Sequence, residues 1–364
     1  MDFALTPEEE ALRDLARKVL GDHVTHERLK RIEASSDGID RDAWEALART
    51  RLLGTAIPEE HGGSGLGLVE LALVLEQVGA AVAPVPAWPT LVLGALTLAE
   101  LGSREQRARW LPGVARGEVV LTAALVEVGA DDPVAPLTAA RADGSRWRLD
   151  GVKTCVPVAH AAARVVVPAR TDAGPALFLV DPHAAGVTLE RQVATHREPQ
   201  ARMTLAGADG ELVSRDTGAV GWLVERALVG LSALQLGVTE RALRMTAEYT
   251  TTREQFGRPI ASFQAVHQRA ADAYIDVEAI RLTMRQAAWR LATGRPAAAE
   301  VMIAKFWASE AAHRVVYAAQ HLHGGIGVDV DYPLHRYYLW SKEIELTLGS
   351  ATRQLVRLGA TLAR

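Results

Sequence analysis

The sequence predicts an α+β protein in three parts: an N-terminal helical domain, a middle antiparallel β-domain and a C-terminal four-helix bundle. Three observations predict it. Apolar residues recur at helical spacing through residues 1–118; near residue 119 the period changes to short β-rich runs; and from Thr217 to Arg364 the helical period returns. The expected boundaries are 1–118, 119–213 and 214–364.

Taken in order, MDFALTPEEE reads as a helix entrance, with Thr6 as N-cap, Pro7 at the first helical position and Glu9 completing a capping box. It has neither the basic nor the apolar region of a leader peptide. Breaks fall at Asp37-Gly38-Ile39, from Glu60 to Gly67 and from Pro84 to Pro89. The uncharged run from Gln77 to Ala99 is interrupted by Pro84, Pro86 and Pro89, so it reads as two helices and a connector; a membrane span needs about 20 unbroken apolar residues. Strands are expected at Val119–Leu125, Trp147–Val156, Val165–Ala169, Ala176–Val180, Val187–Val193 and Met203–Leu205, and helices at 217–252, 261–292, 297–323 and about 341–362.

Composition narrows the function. A chain of 364 residues holds a large core, and a net charge of −4 without a basic block gives no reason to expect nucleic acid or an acidic membrane as partner. Cys155 is the single cysteine, which excludes a disulfide scaffold and a cysteine-based zinc site and points to a reducing, cytoplasmic setting. Cys155 itself is expected to be a small core residue. His321, His323 and His335 have no carboxylate or cysteine to complete a ligand set, and no metal is expected.

The most informative stretch runs from Tyr249 to Arg281. Leu231, Leu234, Val238, Ala242, Met245 and Tyr249 mark one long amphipathic helix, and Ala265, Ala271, Ile275, Ile280 and Met284 suggest a second. Phe256-Gly257-Arg258-Pro259 turns the chain between them, with Arg253 near the end of the first. An arginine there could ground the helix terminus or face a phosphate.

Arg253, Gln255, Phe256, Gly257, Phe263, Gln264, Ala271, Asp272, Glu278 and Arg281, in one register, resemble the C-terminal domain of the acyl-CoA dehydrogenase family. Pro58-Glu59-Glu60-His61-Gly62-Gly63-Ser64-Gly65, and Leu101-Gly102-Ser103 through Gln106 with Leu111-Pro112 and Gly117-Glu118, match its N-terminal domain, and the order of helices, sheet and helical bundle is the family's, so the resemblance covers the whole chain. It implies FAD, because no side chain accepts the hydride leaving the β-carbon, and a glutamate base for the α-proton. In the family each flavin lies between subunits, and the positions serving its adenine-diphosphate end match Arg253, Gln255, Phe256, Phe263, Gln264, Gln320, Gly324 and Gly325.

The catalytic half departs from the pattern. The usual base position, counted from Tyr332-Pro333, is Leu348, and the position a minority of the family uses instead is Ala227. Glu225, two helical steps of about 100° each from Ala227, faces away from it, and Glu345 lies about one turn before Leu348; both read as solvated surface charges. Leu125-Val126-Glu127-Val128-Gly129-Ala130-Asp131-Asp132 has lost a threonine hydroxyl at Val126 and sets Asp132 toward a pyrophosphate. Lys153-Thr154-Cys155-Val156-Pro157 has lost the ring-stacking tryptophan and the flavin-bonding threonine.

The resemblance therefore implies the glutamate-lacking subunit of a heteromeric, α2β2 acyl-CoA dehydrogenase, like those of actinobacterial steroid catabolism; Leu339-Trp340 also resembles that branch. Such a subunit shares FAD with a partner chain and has no catalytic residue of its own. A homotetramer with a non-standard base and a flavin-free scaffold are the alternatives.

Overall fold

The computed structural model describes residues 3–130, 132–144 and 146–363. These form two compact units. One comprises residues 29–71 and 84–227; the other comprises residues up to 28, 72–83 and 228 onward.

The helices preceding the sheet are α1 (Pro7–His23), α2 (His26–Glu33), α3 (Arg41–Arg49), α4 (Leu68–Ala81), α5 (Thr97–Leu101) and α6 (Arg104–Ala115), with a π-helix at Trp88–Leu96. Helix α1 starts as its sequence demands: Thr6 Oγ1 accepts from Glu9 N (3.2 Å) and Glu9 Oε2 accepts from Thr6 N (2.7 Å). Ser103 and Gln106 build the same reciprocal cap on α6.

Seven strands follow: β1 (Leu121–Ala123), β2 (Ala139–Asp143), β3 (Arg146–Pro157), β4 (Arg164–Thr171), β5 (Gly174–Val180), β6 (Val187–Val193) and β7 (Pro199–Ser214). Their order is β1-β4-β2-β3-β7-β5, with β6 on β7, and β5 pairs both β7 and β4, which closes a ring of strands. The sheet is mostly antiparallel, but β4 runs parallel to β1 and to β2. Strand β2 escapes the sequence pattern because Ala-Ala-Arg-Ala-Asp offers only one fully buried side chain. Strand β7 is far longer than Met203–Leu205, since its first half pairs with β6 and its second with β5. The ring is filled by alternating side chains such as Leu149, Val165, Val167, Phe178, Val180 and Met203. In the same unit Thr90 Oγ1 donates to Leu121 O (3.0 Å), and Gln106 Nε2 donates to Leu212 O (3.0 Å) and Glu211 Oε1 (2.7 Å).

Helices α7 (Ala219–Thr252), α8 (Gln264–Ala292), α9 (Ala298–His323), α10 (Leu334–Leu346) and α11 (Ala351–Leu362) complete the chain, with a two-residue ribbon, β8 (Glu254–Gln255) and β9 (Arg258–Pro259), between α7 and α8. The last helical segment thus starts earlier than 341 and is two helices. Leu348 (φ 57°) and Gly349 (φ 101°) take left-handed backbone there, which no helix continues. Helix α7 is long and apolar enough to span a membrane, but 78% of its apolar window is buried, as in a core helix. On α8 the buried stripe is Ala273, Val277, Ile280 and Met284, whereas Ile275 is 64% exposed.

In the second unit α4 and α7 cross at backbone distance. A Cβ placed on Gly79 would strike the Leu234 carbonyl oxygen, and one on Gly237 the Glu76 carbonyl oxygen. Beside this crossing Arg281 of α8 binds Glu240 (3.2 Å), Glu278 (3.1 Å) and the buried Glu76 (3.8 Å). Burial raises the Glu76 carboxyl above the usual range against the pull of Arg281. Gln235 Nε2 donates to Ser341 Oγ (2.7 Å) and Tyr337 Oη to Ala80 O (2.9 Å), fastening α10 to the same pair.

Gly237→Ala should therefore cost about 3 kcal/mol, the upper end for overpacking against rigid neighbours. Gly359→Ala on exposed α11, where an added Cβ meets nothing, should instead stabilise by about 0.5–1 kcal/mol. Denaturant unfolding of the two variants checks the contrast; equal effects would mean that the crossing tolerates a methyl group.

Candidate functional site

Helix α7 ends in Thr250-Thr251-Thr252. Their hydroxyls donate back to the carbonyls of Ala247 (Thr250, 3.2 Å; Thr251, 3.0 Å) and Glu248 (Thr252, 3.1 Å), which competes with continued helix. Gln255 then pairs with Arg258 across Phe256 (φ 55°) and Gly257 (φ 75°). Positive φ at both central residues marks a primed hairpin turn. Glycine takes that conformation freely, but an aromatic residue does so only under strain, and the strain sets Phe256 outward, 93% exposed. Its ring meets Phe263 edge-on at 6.1 Å, and the Arg258 guanidinium lies 4.2 Å over Phe263.

Arg253 is exposed in front of this turn. Its backbone is tied at both ends, N–H to Tyr249 O (2.8 Å) and carbonyl from Ile260 N (2.8 Å). Its guanidinium makes no hydrogen bond or ion pair among the described residues. It therefore does not cap α7. Gln255 Nε2 donates to Glu254 O (2.7 Å), and exposed Gln264 opens α8, whose N-cap, Phe263, gives no side-chain acceptor. The first N–H groups of α8 are thus left without a side-chain cap, the arrangement that favours an anion.

The second group lies at the end of α9. Gln320, with its amide oriented to donate to Gly327 O (3.1 Å) and accept from Val328 N (3.1 Å), folds the following turn over the helix end. Gly324 (φ 64°, ψ −142°) holds a conformation essentially reserved for glycine, and a Cβ at Gly324 or Gly325 would meet nothing within 4 Å. These two backbones are exposed and approachable. His323 ties the groups together. It is buried, with Nδ1 against Ala319 O (2.8 Å) and Nε2 against Tyr332 Oη (3.1 Å), and its ring stacks on Tyr249 at 4.4 Å. Tyr249 sits one turn before Arg253, so the stack brings the ends of α7 and α9 together. The sequence reading missed this contact; its signal is an aromatic one turn before the arginine and a histidine one residue before the glycine pair. His321 is exposed, and His335 Nδ1 meets Tyr332 O (2.7 Å).

The two sheet segments that depart from the family pattern also meet: Thr154 N donates to Val126 O (2.9 Å). Beneath them Glu127 is buried, although burial alone would raise its pKa; Lys153 at 2.9 Å, Thr138 Oγ1, Thr138 N and Leu137 N hold it below the usual carboxylate range. Cys155 is not a core residue. It sits exposed at φ 51° in the bulge between Lys153 and Val156, its N–H on Gln192 Oε1 (2.8 Å). Bulging reverses the side a strand residue faces, which alternation alone does not foresee. Asp132 Oδ1 accepts from Val134 N (3.2 Å); Asp131 lies outside the described residues.

Leu348 and Ala227, the two positions where the sequence reading looked for a base, are apolar and covered. Leu348 is 7% exposed, and Gln354 Nε2 donates to its carbonyl (3.1 Å); Ala227 is fully buried. Neither nearby glutamate is a solvated charge. Glu345 is mostly covered and bound to Lys342 (2.6 Å), with His313 at 3.7 Å. Glu225 is half-buried 3.8 Å from Arg226, and burial raises its pKa. With α10 ending at Leu346, Glu345 and Leu348 also do not share a helix face.

Lys305 on α9 is fully buried and donates to the carbonyls of Ile344 (2.7 Å) and Glu345 (3.0 Å) and to Ser309 Oγ (3.1 Å). It terminates α10 just before Leu348. A lone lysine within Val301–Ala308 is the sequence signal for it.

The chain belongs to the acyl-CoA dehydrogenase family: the family's N-terminal domain matches residues 6–118 and its C-terminal domain residues 222–362. Among its relatives, acyl-CoA dehydrogenase FadE27 of Mycobacterium tuberculosis is 40% identical over 373 residues, covering 100% of this chain and 99% of that protein. Two solved structures are similar throughout. A variant of the Tcur3481–Tcur3483 steroid acyl-CoA dehydrogenase is 47% identical with a TM-score of 0.94, covering 98% of each chain. The ChsE4–ChsE5 complex from Mycobacterium tuberculosis is 40% identical with a TM-score of 0.95, covering 100% of this chain and 99% of that one. The chain is thus an acyl-CoA dehydrogenase homologous to subunits of heteromeric steroid enzymes, in a family whose typical cofactor is FAD.

Burial pushes the Lys305 pKa down from 10.5 to about 7. The unfolded chain holds that proton up to its ordinary value, so between the two values unfolding takes up a proton and stability rises with pH. Lys305→Met should lower stability at neutral pH by about 2 kcal/mol through the stranded carbonyls. Its deficit against wild type should widen above pH 7 by up to about 1.4 kcal/mol per pH unit. A constant deficit in pH-dependent unfolding would refute the lowered pKa and mean that the buried amine keeps its proton.

Proposed function

We propose that this chain is the non-catalytic subunit of a heteromeric acyl-CoA dehydrogenase, with domains at 1–118, 119–213 and 214–364, working in the cytoplasm as an α2β2 assembly. The observation that carries the reading is a combination. Free, exposed groups at Arg253, Gln264, Gly324 and Gly325 persist beside two base positions, Leu348 and Ala227, that cannot take a proton.

These residues fit the diphosphate end of FAD. The Arg253 fork is unpaired and can donate two parallel hydrogen bonds, the start of α8 offers backbone N–H groups, and the glycine pair admits close backbone approach. Gln255, Phe256 and Phe263 form the wall beside Arg253, and Gln320 holds the turn that presents the glycines. When bound, FAD supplies the hydride acceptor that side chains lack. This chain's part is to anchor and orient it, while the partner chain contributes the glutamate base and the contacts to the flavin ring. Exposed Tyr274, Ile275 and Leu282 on α8, Tyr317 on α9 and Val356 and Leu362 on α11 support association with another chain. The likeness to steroid enzymes makes a bulky steroid side-chain acyl-CoA the substrate of the complex.

Bound flavin per chain, read by visible absorbance, tests this. The chain expressed alone should be colourless or insoluble, and co-expressed with its partner should give one FAD per pair. A yellow lone chain active on an acyl-CoA would overturn the proposal. In the pair, Arg253→Ala should weaken flavin binding by about 1.5–3 kcal/mol, roughly ten- to a hundredfold. Unchanged flavin content would favour a scaffold role. Leu348→Glu should create no turnover, because Val126 and Cys155 leave the ring side unrestored.

A further inference from the structure

The first turns of α7 carry a second feature that bears on why this chain lacks a base. Trp88 Nε1 donates to Ala227 O at 3.1 Å, and Ala227 is 0% exposed. A carbonyl inside a helix can accept an indole N–H only if the ring lies against that helix. A tryptophan so placed covers on the order of 150–250 Å².

The ring is held from behind. Trp88 opens the π-helix, and preceding Ala87 is fully buried. Two residues on, Thr90 is bonded to Leu121 O, and a Cβ at Gly94 would collide with the Leu121 side chain, so the π-helix sits tightly on β1. The neighbouring charges on α7 are already engaged. Arg226 stacks on Trp222 at 3.8 Å, donates to Trp222 O (3.1 Å) and pairs with Glu225. Among the described residues of this stretch no free cation remains for a carboxylate at position 227, and a buried carboxylate without one is strongly disfavoured.

We propose that Trp88 is a built-in plug: its indole fills the space beside Ala227 that a base and an acyl chain would share, so this chain's own acyl site is closed by shape as well as by chemistry. This rests on the reading of the chain as a base-lacking subunit. Restoring catalysis would then require opening a wall, not only replacing a residue.

The test places a thiol at the covered position. In the co-expressed pair, with Cys155→Ser removing the native thiol, Ala227→Cys is treated with iodoacetamide and labelling of this chain is followed by mass. With Trp88 intact the thiol should stay unlabelled; adding Trp88→Ala should speed labelling by at least roughly tenfold. Trp88→Leu, which keeps an apolar contact but removes most of the ring, serves if the alanine variant fails to assemble. Ready labelling with Trp88 present, or none gained on its removal, overturns the plug. Flavin content of the same samples is a separate readout: two flavins per pair instead of one would sink the subunit reading while the labelling result still decides the plug.

Discussion

The backbone-to-backbone crossing of α4 and α7 at Gly79 and Gly237 sets the geometry of the C-terminal helices. Because the two helices touch through carbonyls rather than side chains, α7 has one height and one rotation on α4. From that fixed line, α8 is pinned by Arg281 and α10 by Gln235 and Tyr337. The far end of α7 then carries Tyr249 and Arg253 to where His323 and Gly324 end α9.

The surroundings of Arg253 and those of Leu348 and Ala227 differ sharply. Around Arg253 the guanidinium is exposed with no bond to another described residue, and strained Phe256 is kept outward in spite of its cost. Around Leu348 and Ala227 everything is closed: the Leu348 carbonyl is bound by Gln354, the Ala227 carbonyl by Trp88, and the carbonyls before Leu348 by Lys305. An exposed guanidinium of this kind is open to solvent and to any anion that reaches it. Covered and satisfied groups are not.

Much of this was legible in the residues. The Thr6 cap, the change of period near 119 and the hairpin at Phe256-Gly257 depend on neighbours in sequence, and local patterns report them well. Strand β2 was missed because a weakly buried strand has almost no alternation to see, and β7 was cut short because Gly207 and Gly210 dilute its pattern. Cys155 was misplaced by a bulge, and Ile275 by assuming a single apolar face on a helix that has two.

By itself the sequence determined which groups are available: one arginine before a turn, two glycines after a helix, and apolar residues at positions 348 and 227. Only the tertiary structure decided what each group is free to do. Whether Arg253 is spent on a cap, whether Glu345 is solvated, and whether Lys305 or Trp88 reaches a distant carbonyl depend on contacts between residues far apart in the chain. Packing density and rotamer choice select those contacts, and no local period encodes them.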